Sequence, residues 1–156
     1  MKPKVHYIPD GFRAVTPYLF VQDAARAIEF YMQAFGAREV MRMPMPNGKI
    51  GHAEIQIGDS RIMLADEAPQ INARSPVSVG GTPVLICLYV EDCDAVIARA
   101  VALGAKVSRP AQDHFYGDRS GTLTDPFGHL WTVATHKEDV TIEETQKRAA
   151  ALFGAK

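Results

Sequence analysis

The chain contains an internal repeat, and this repeat constrains its fold more than any other feature. The segment LFVQD at residues 19–23 returns as LYVED at 88–92, and each is followed by a stretch that ends in FGA or LGA. The segments SRIML at 60–64 and GHLWT at 128–132 also correspond. One such repeat has too few strands to bury both faces of a sheet, so we expect the two copies to combine into one core.

Each copy has the pattern of one strand, one helix and three further strands. In the first copy the strand-like run AVTPYLFVQ leads to Asp23, a suitable helix N-cap, and the helical spacing of apolar residues ends at Gly36. An Asn-Gly pair then signals a hairpin turn. In the second copy either Asp92 or Asp94 caps the helix. The chain therefore predicts an α+β fold with two βαβββ units at about 12–66 and 83–137, a linker at 67–82 and a C-terminal helix at about 141–153.

Charge and apolar patterning exclude two classes of partner. Lys and Arg number 17 against 18 Asp and Glu, so no broad basic surface is available for a nucleic acid. No apolar run is long enough for a membrane span or a signal peptide, so we expect no membrane association and a cytoplasmic location. Cys87 and Cys93 lack the spacing of a thiolate metal site, and we predict that both are reduced, with Cys87 a small core residue.

Three segments carry a family resemblance: DPFGH at 125–129, GHAEIQIGDSRIMLADE at 51–67 and FYGDRSGTLTDPFGHLWTVATHKED at 115–139. Together with the duplicated unit they resemble the vicinal oxygen chelate superfamily, which includes glyoxalase I, extradiol dioxygenases and fosfomycin- and bleomycin-resistance proteins. Within it they look most like the PhnB-like branch. The resemblance implies that the chain, 1–156, is a single domain whose curved mixed sheets surround a concave pocket.

The resemblance also bears on metal binding. In the metal-dependent members of the superfamily, side chains of His, Gln or Glu project into the pocket from four equivalent strand positions. Mapped through the motifs, these positions are Thr16, Leu64, Leu85 and Thr132. A catalytic divalent cation needs imidazole, carboxylate or thiolate ligands, so the resemblance implies no metal and no cofactor here.

The pair His52 and Glu54 is the first candidate site. The two residues are separated by two positions in a predicted strand, so their side chains project to one face. They can act as a catalytic pair, with the carboxylate orienting an imidazole general base, or contribute to a nonstandard metal site. The alternative is a polar, solvent-exposed edge, which Gln56 would extend. The sequence leaves open which face they occupy.

A second candidate is the polar and aromatic segment DHFYGDRSG at 113–121. Here His114 and Tyr116 would supply a donor and an aromatic wall, and Arg119 would hold an anionic group of a ligand. The alternative for Arg119 is an ion pair with Asp118 that shapes the loop.

The third candidate is a set of large side chains that the resemblance places near the pocket. They are predicted either to line an apolar, aromatic binding surface or to belong to the ordinary core between sheet and helix. These residues are Phe20, Met63, Tyr89 and Trp131. Two histidines receive a simpler interpretation: His129 is expected in a turn and His136 in solvent, and neither is predicted to be a metal ligand.

These observations favour metal-independent binding or sequestration of an organic small molecule, as in the bleomycin-binding relatives. The alternative is an enzyme, such as a glyoxalase-like lyase or isomerase, that uses His52 and Glu54 for proton transfer. A dimerisation or regulatory module without a ligand is a third class. In every case we expect a homodimer, since the C-terminal helix carries apolar residues such as Ile142, Leu152 and Phe153. The sequence does not decide whether the pocket forms within one chain or across two.

Overall fold

A computed structural model describes residues 5–154 of the chain. The fold divides into two compact units, one running to Gly81 and the other starting at Thr82. The predicted α+β class is confirmed, because each unit is a four-stranded mixed sheet with helices. No helix in the described residues is long and apolar enough to cross a membrane.

The first unit follows the predicted order of one strand, one helix and three strands. Its elements are β1 (Tyr18–Val21), α1 (Ala24–Phe35), β2 (Arg38–Pro44), β3 (Ile50–Ile57) and β4 (Ser60–Asp66), followed by a 3-10 turn (Pro69–Ile71) and α2 (Pro76–Val79). The sheet order is β1-β4-β3-β2, with β1 parallel to β4 and the other pairs antiparallel. The short helix and the 3-10 turn lie in the segment that the sequence predicted to be a linker.

The helix α1 begins and ends where its sequence signals predict. The Asp23 side chain accepts a hydrogen bond from the Arg26 amide, and Gly36 ends the helix in the left-handed conformation. The buried face of α1, which includes Ile28 and Tyr31, packs on the sheet side that carries Leu64. Burying an apolar side chain of this size contributes about 1.5–3 kcal/mol, so this contact is a main source of stability for the unit.

The second unit repeats the plan and adds a C-terminal helix. Its elements are β5 (Leu85–Tyr89), α3 (Cys93–Ala102), β6 (Lys106–Asp113), β7 (Asp118–Thr124), β8 (Leu130–His136) and α4 (Ile142–Phe153). The order is β5-β8-β7-β6, with β5 parallel to β8. Asp92 caps α3 by accepting a hydrogen bond from the Ala95 amide, which decides between the two predicted caps. Thr141 caps α4, as predicted.

The prediction that Cys87 is a small core residue is wrong. Cys93 is buried at the start of α3, but Cys87 is exposed on β5. Unpaired cysteines are usually core residues, yet here the alternation of the strand turns the thiol away from α3. Desolvation, together with the negative charge of Asp118, raises the pKa of the Cys87 thiol above its ordinary value.

Candidate functional site

Each sheet has one face covered by its own helix and one face turned away from that helix, which we call the far face. In the first unit Leu19 and Val21 are buried on the helix side, so Tyr18 and Phe20 lie on the far face. In the second unit Leu123 is buried on the helix side, so its neighbours Thr122 and Thr124 point to the far face.

The far face of the first unit carries a hydrogen-bonded chain of four side chains. The Tyr18 hydroxyl lies 2.8 Å from Nδ1 of His52, and Nε2 of His52 lies 3.4 Å from Glu54. The second oxygen of Glu54 accepts a 2.6 Å hydrogen bond from Arg61. Phe12 stacks on the other side of the Arg61 guanidinium, 4.9 Å from ring centroid to carbon. His52 and Glu54 therefore share one face and contact each other.

The Tyr18 hydroxyl lies at one end of this hydrogen-bonded network, next to His52. Burial raises the pKa of Tyr18, so its hydroxyl is protonated at neutral pH and can donate to Nδ1. Nε2, on the opposite side of the His52 ring, faces Glu54, which also pairs with Arg61. Both ring nitrogens of His52 are thus engaged, next to a partly exposed phenol.

Phe20 and Met63, two of the residues predicted to line a binding surface, lie beside this hydrogen-bonded network. The Phe20 ring stacks on Tyr18 with centroids 5.0 Å apart, and Met63 is the register partner of Tyr18 on β4. Both side chains are half-buried. The structure thus brings Phe20 and Met63 together with His52, on a surface that is part aromatic and part polar.

The far face of the second unit has its own polar cluster, centred on Asp118. One Asp118 oxygen accepts a 2.6 Å hydrogen bond from the Tyr89 hydroxyl, and the other lies 2.7 Å from Nδ1 of His136. Nε2 of His136 lies 2.9 Å from Asp139. His136 therefore bridges two carboxylates, where the sequence predicted only a solvated side chain.

The pKa values of this cluster follow from its hydrogen bonds. The bond to Asp118, with burial second, raises the pKa of Tyr89 to about 12. Burial raises the pKa of Asp118, but the hydrogen bonds from Tyr89 and His136 outweigh it and the net direction is down. Asp118 and then Asp139 raise the pKa of His136. The cluster is thus a stable arrangement of a phenol, a carboxylate and an imidazole that favours the charged ring.

A cavity of about 120 Å³ lies on the same far face, between β6 and the loop before β7. His114 and Tyr116 form its aromatic side, with their rings parallel within 8° and 5.0 Å apart. Ser120 holds His114 through a 2.9 Å hydrogen bond to Nε2. The rest of the lining is polar or small: Arg109, Pro110, Gln112, Ser120, Gly121, Thr122 and Thr132.

Comparison with known proteins assigns the family. The model of the Glyoxalase/Bleomycin resistance protein/Dioxygenase superfamily matches residues 10–133. The chain belongs to this superfamily.

This glyoxalase-superfamily protein is similar to uncharacterised proteins and to several solved structures. An uncharacterised protein of Mycobacterium bovis is 44% identical over 136 residues, which span 85% of this chain and 90% of that protein. The crystal structure of TioX from Micromonospora sp. ML1 is 28% identical, covers 80% of this chain and 98% of TioX, and has a TM-score of 0.63. A PhnB protein from Bacillus cereus shares the fold, with a TM-score of 0.63 at 18% identity over 79% of this chain and 99% of that one.

The metal positions of the glyoxalase superfamily do not fit a cation here. Leu85 and Thr132 lie on the far face, as the mapping predicts, and Thr16 lies just before β1. Leu64 is fully buried against α1, so the mapping was off by one residue and Met63 occupies the far-face place. Neither Leu64 nor Met63 supplies the imidazole, carboxylate or thiolate that a catalytic divalent cation needs. Within residues 5–154 no three His, Cys, Asp or Glu side chains are grouped to hold a metal.

Two predicted ligand-binding residues of this glyoxalase-superfamily chain lie on the helix side instead of the far face. Arg119 forms a two-pronged ion pair with Asp94 of α3, at 2.6 and 2.9 Å, and a longer one with Asp113. The predicted Asp118 partner is therefore wrong. Trp131 is 1% exposed and donates its indole N–H to Asp125, so it belongs to the core. Strand alternation separates both residues from His114 and Tyr116.

The DPFGH motif serves the turn between β7 and β8. The buried Asp125 accepts hydrogen bonds from the amides of Phe127 and His129 as well as from the Trp131 indole. His129 is half-buried in this turn, as predicted. The motif therefore stabilises local structure and positions the start of β8.

Several residues with a place in these sites had no assigned role from the sequence, among them Tyr18, Arg61 and Arg109. Tyr18 lies two positions before Phe20, so strand periodicity could have placed both on one face. Asp118 was considered only as an ion-pair partner of Arg119, although strand periodicity places it on the same face as Ser120, two positions later. Arg109 had no such signal, because a bulge in β6 decides which way its side chain lies.

Proposed function

We propose that this protein binds a planar organic small molecule, without a divalent cation, in the cavity of its second unit. The observation that carries the proposal is the parallel stack of His114 and Tyr116 beside a cavity lined by hydroxyl, amide and guanidinium groups. Aromatic walls supply contact area and ring stacking, and a few polar groups fix orientation. This is the usual chemistry of a small-molecule site.

The size of the cavity supports a ligand with one buried ring. A cavity of about 150 Å³ lined by apolar residues is known to hold benzene, and the present one is about 120 Å³. The cavity is smaller than that one, so it admits at most a single ring, and the rest of a ligand extends over the exposed Tyr116 ring, which is 41% accessible. The proposal needs no Lewis acid, because stacking and hydrogen bonds supply the affinity.

The test is a titration of the purified protein with a panel of planar aromatic compounds, followed by calorimetry and by NMR. We expect Tyr116→Ala to weaken binding by about 3- to 10-fold, the value of one aromatic contact. Tyr7→Ala is the matched control, since Tyr7 is 88% exposed in the N-terminal segment, and it should leave affinity unchanged. Binding that is equal in both variants, or no saturable binding at all, would contradict the proposal.

A second candidate is an enzyme that uses His52 for proton transfer. The chain from Tyr18 through His52 and Glu54 to Arg61 favours it, because a carboxylate that orients an imidazole is a common arrangement for acid–base catalysis. In this mechanism the exposed Tyr18 hydroxyl exchanges a proton with the ligand. His52 then exchanges a proton with Tyr18.

Hydrogen–deuterium exchange distinguishes the two candidates. Ligands incubated with the protein in D₂O are followed by NMR, and enzymatic proton transfer should label a ligand carbon or give a product. Tyr18→Phe and His52→Ala should then reduce the rate by about 100-fold or more. His6→Ala is the control, because His6 lies in the N-terminal segment outside this network. If the ligand stays unlabelled and chemically unchanged, the protein binds it without proton transfer, and the enzymatic candidate is contradicted.

The homodimer and the cytoplasmic location stay part of the proposal. The exposed Ile142, Leu152 and Phe153 of α4 support association, because apolar side chains of this size gain from burial. Sedimentation equilibrium checks the proposed dimer, and a monomer at all concentrations would contradict it.

The two free cysteines fit a reducing compartment such as the cytoplasm.

A further inference from the structure

We infer that the cavity of the second unit selects a planar ligand with an anionic group, such as an aromatic carboxylate, and that Arg109 holds this group. The inference rests on the proposed function and specifies the ligand class. It follows from the charge of the cavity lining, from the free state of one guanidinium and from a strand irregularity that positions it.

The lining of the cavity contains no carboxylate. Its nine residues include one arginine and one histidine, and the others are neutral. In an adjoining cavity, lined by acidic residues, every carboxylate is engaged: Asp113 with Arg119, Asp118 with Tyr89 and His136, and Glu138 with Arg148. Among the described residues, those that line the cavity of His114 and Tyr116 therefore supply a guanidinium and no carboxylate, which favours an anionic group over a cationic one.

Arg109 has no ion pair with any residue in the described part of the chain. By contrast, Arg42, Arg61, Arg119 and Arg148 each contact a carboxylate at 2.9 Å or less. A guanidinium presents a planar fork of N–H donors that matches a carboxylate in two-pronged fashion. Arg109 therefore keeps this capacity for a ligand.

A bulge in β6 places Arg109 in the cavity. Gln112 pairs with Ser120, and Arg109 pairs with Thr122, so a three-residue step on β6 faces a two-residue step on β7. In a regular strand, residues three apart point to opposite faces. The extra residue lets the side chains of Arg109 and Gln112 both line the cavity, which is how bulges redirect side chains next to functional sites.

Gly121 is the residue on β7 that permits this bulge. A Cβ at this position would lie 3.0 Å from the Ala111 amide nitrogen and 3.1 Å from the Arg109 carbonyl oxygen. The absence of a side chain allows the bulged backbone to approach β7 closely. The position of Arg109 is thus set by two features of the fold, the bulge and the glycine opposite it.

The test compares matched pairs of ligands, benzoate with benzamide and 1-naphthoate with 1-naphthamide, by calorimetry and NMR. We expect each carboxylate to bind at least about tenfold more tightly than its amide, as charge-assisted bonds are stronger than neutral ones. Arg109→Gln should remove this preference, by weakening carboxylate binding at least about tenfold more than amide binding. Arg26→Gln, the same charge change on α1 of the other unit, is the control and should preserve the preference.

The outcomes separate this inference from the proposed function. If carboxylates and amides bind equally and Arg109→Gln changes nothing, the cavity binds ligands without anion selection, and the inference is overturned while the function stands. If no compound shifts resonances of the cavity residues, both are overturned. If Arg26→Gln also loses the preference for carboxylates over amides, the preference depends on the net charge of the protein. That result would overturn the role of Arg109. Circular dichroism of each variant confirms that it is folded.

Discussion

At the scale of single residues, His136 shows how a side chain that the sequence assigns to solvent becomes a structural link. Its ring lies between Asp118 and Asp139, and the carboxylate of Asp118 in turn holds the Tyr89 hydroxyl. The sequence shows the histidine but not this role, because the register that pairs Asp118 with His136 is a property of the sheet. Position along the chain carries no such information.

The cluster predicts a pH dependence of stability. Hydrogen bonds to Asp118 first, and to Asp139 second, raise the folded pKa of His136 above the ordinary value of about 6.5. Its stabilising contribution is therefore fully present below about pH 6.5 and is lost as pH rises through the folded value. Thermal unfolding of the wild type and His136→Gln should differ most near pH 6 and least near pH 8.5, in favour of the wild type. A constant difference across this range would contradict the assignment, and His6→Gln serves as the exposed control.

At the scale of elements, the sequence predicted what local signals control. The cap of α1 at Asp23, its end at Gly36 and the Asn-Gly hairpin between β2 and β3 all formed as predicted, because each depends on neighbouring residues alone. The spacing of His52 and Glu54 placed both on one face for the same reason, although their chemical role stays a prediction. Cys87 and Leu64 were misjudged because strand patterns do not reveal which face the helix covers.

The β7–β8 turn gives a prediction at this scale. Asp125 is 4% exposed and accepts hydrogen bonds from two backbone amides and from the Trp131 indole. Asp125→Ala leaves three buried donors without their acceptor, and each such loss costs about 1–3 kcal/mol. We expect urea unfolding to show a loss of about 3 kcal/mol or more in the free energy of unfolding. Asp10→Ala, at an exposed position, should lose less than about 0.5 kcal/mol, and equal losses would disprove the role of the turn.

At the scale of the whole molecule, the two units share one plan and differ in the chemistry of their far faces. Their topologies match strand for strand, which the repeat in the sequence predicted. The far face of the first unit carries an imidazole–carboxylate–guanidinium chain, and that of the second carries a carboxylate cluster and a cavity. The repeat could not reveal this difference, because the bulge at Arg109 and the register of β7 on β8 arise only in the folded sheet.

Within residues 5–154, neither far face groups three His, Cys, Asp or Glu side chains in a way that could hold a cation, and this leads to a prediction for the whole molecule. The mapped positions hold threonine, leucine or methionine, and His52, Asp118 and His136 are engaged with other side chains. Protein dialysed against a strong chelator should therefore bind planar ligands with the same Kd as untreated protein. Elemental analysis should find far less than one equivalent of Zn, Ni, Mn or Fe per chain. Re-addition of each of these ions to the dialysed protein is the control. Binding that disappears on chelation and returns with one of the ions would show that a cation takes part, since ligand affinity linked to metal must follow metal occupancy.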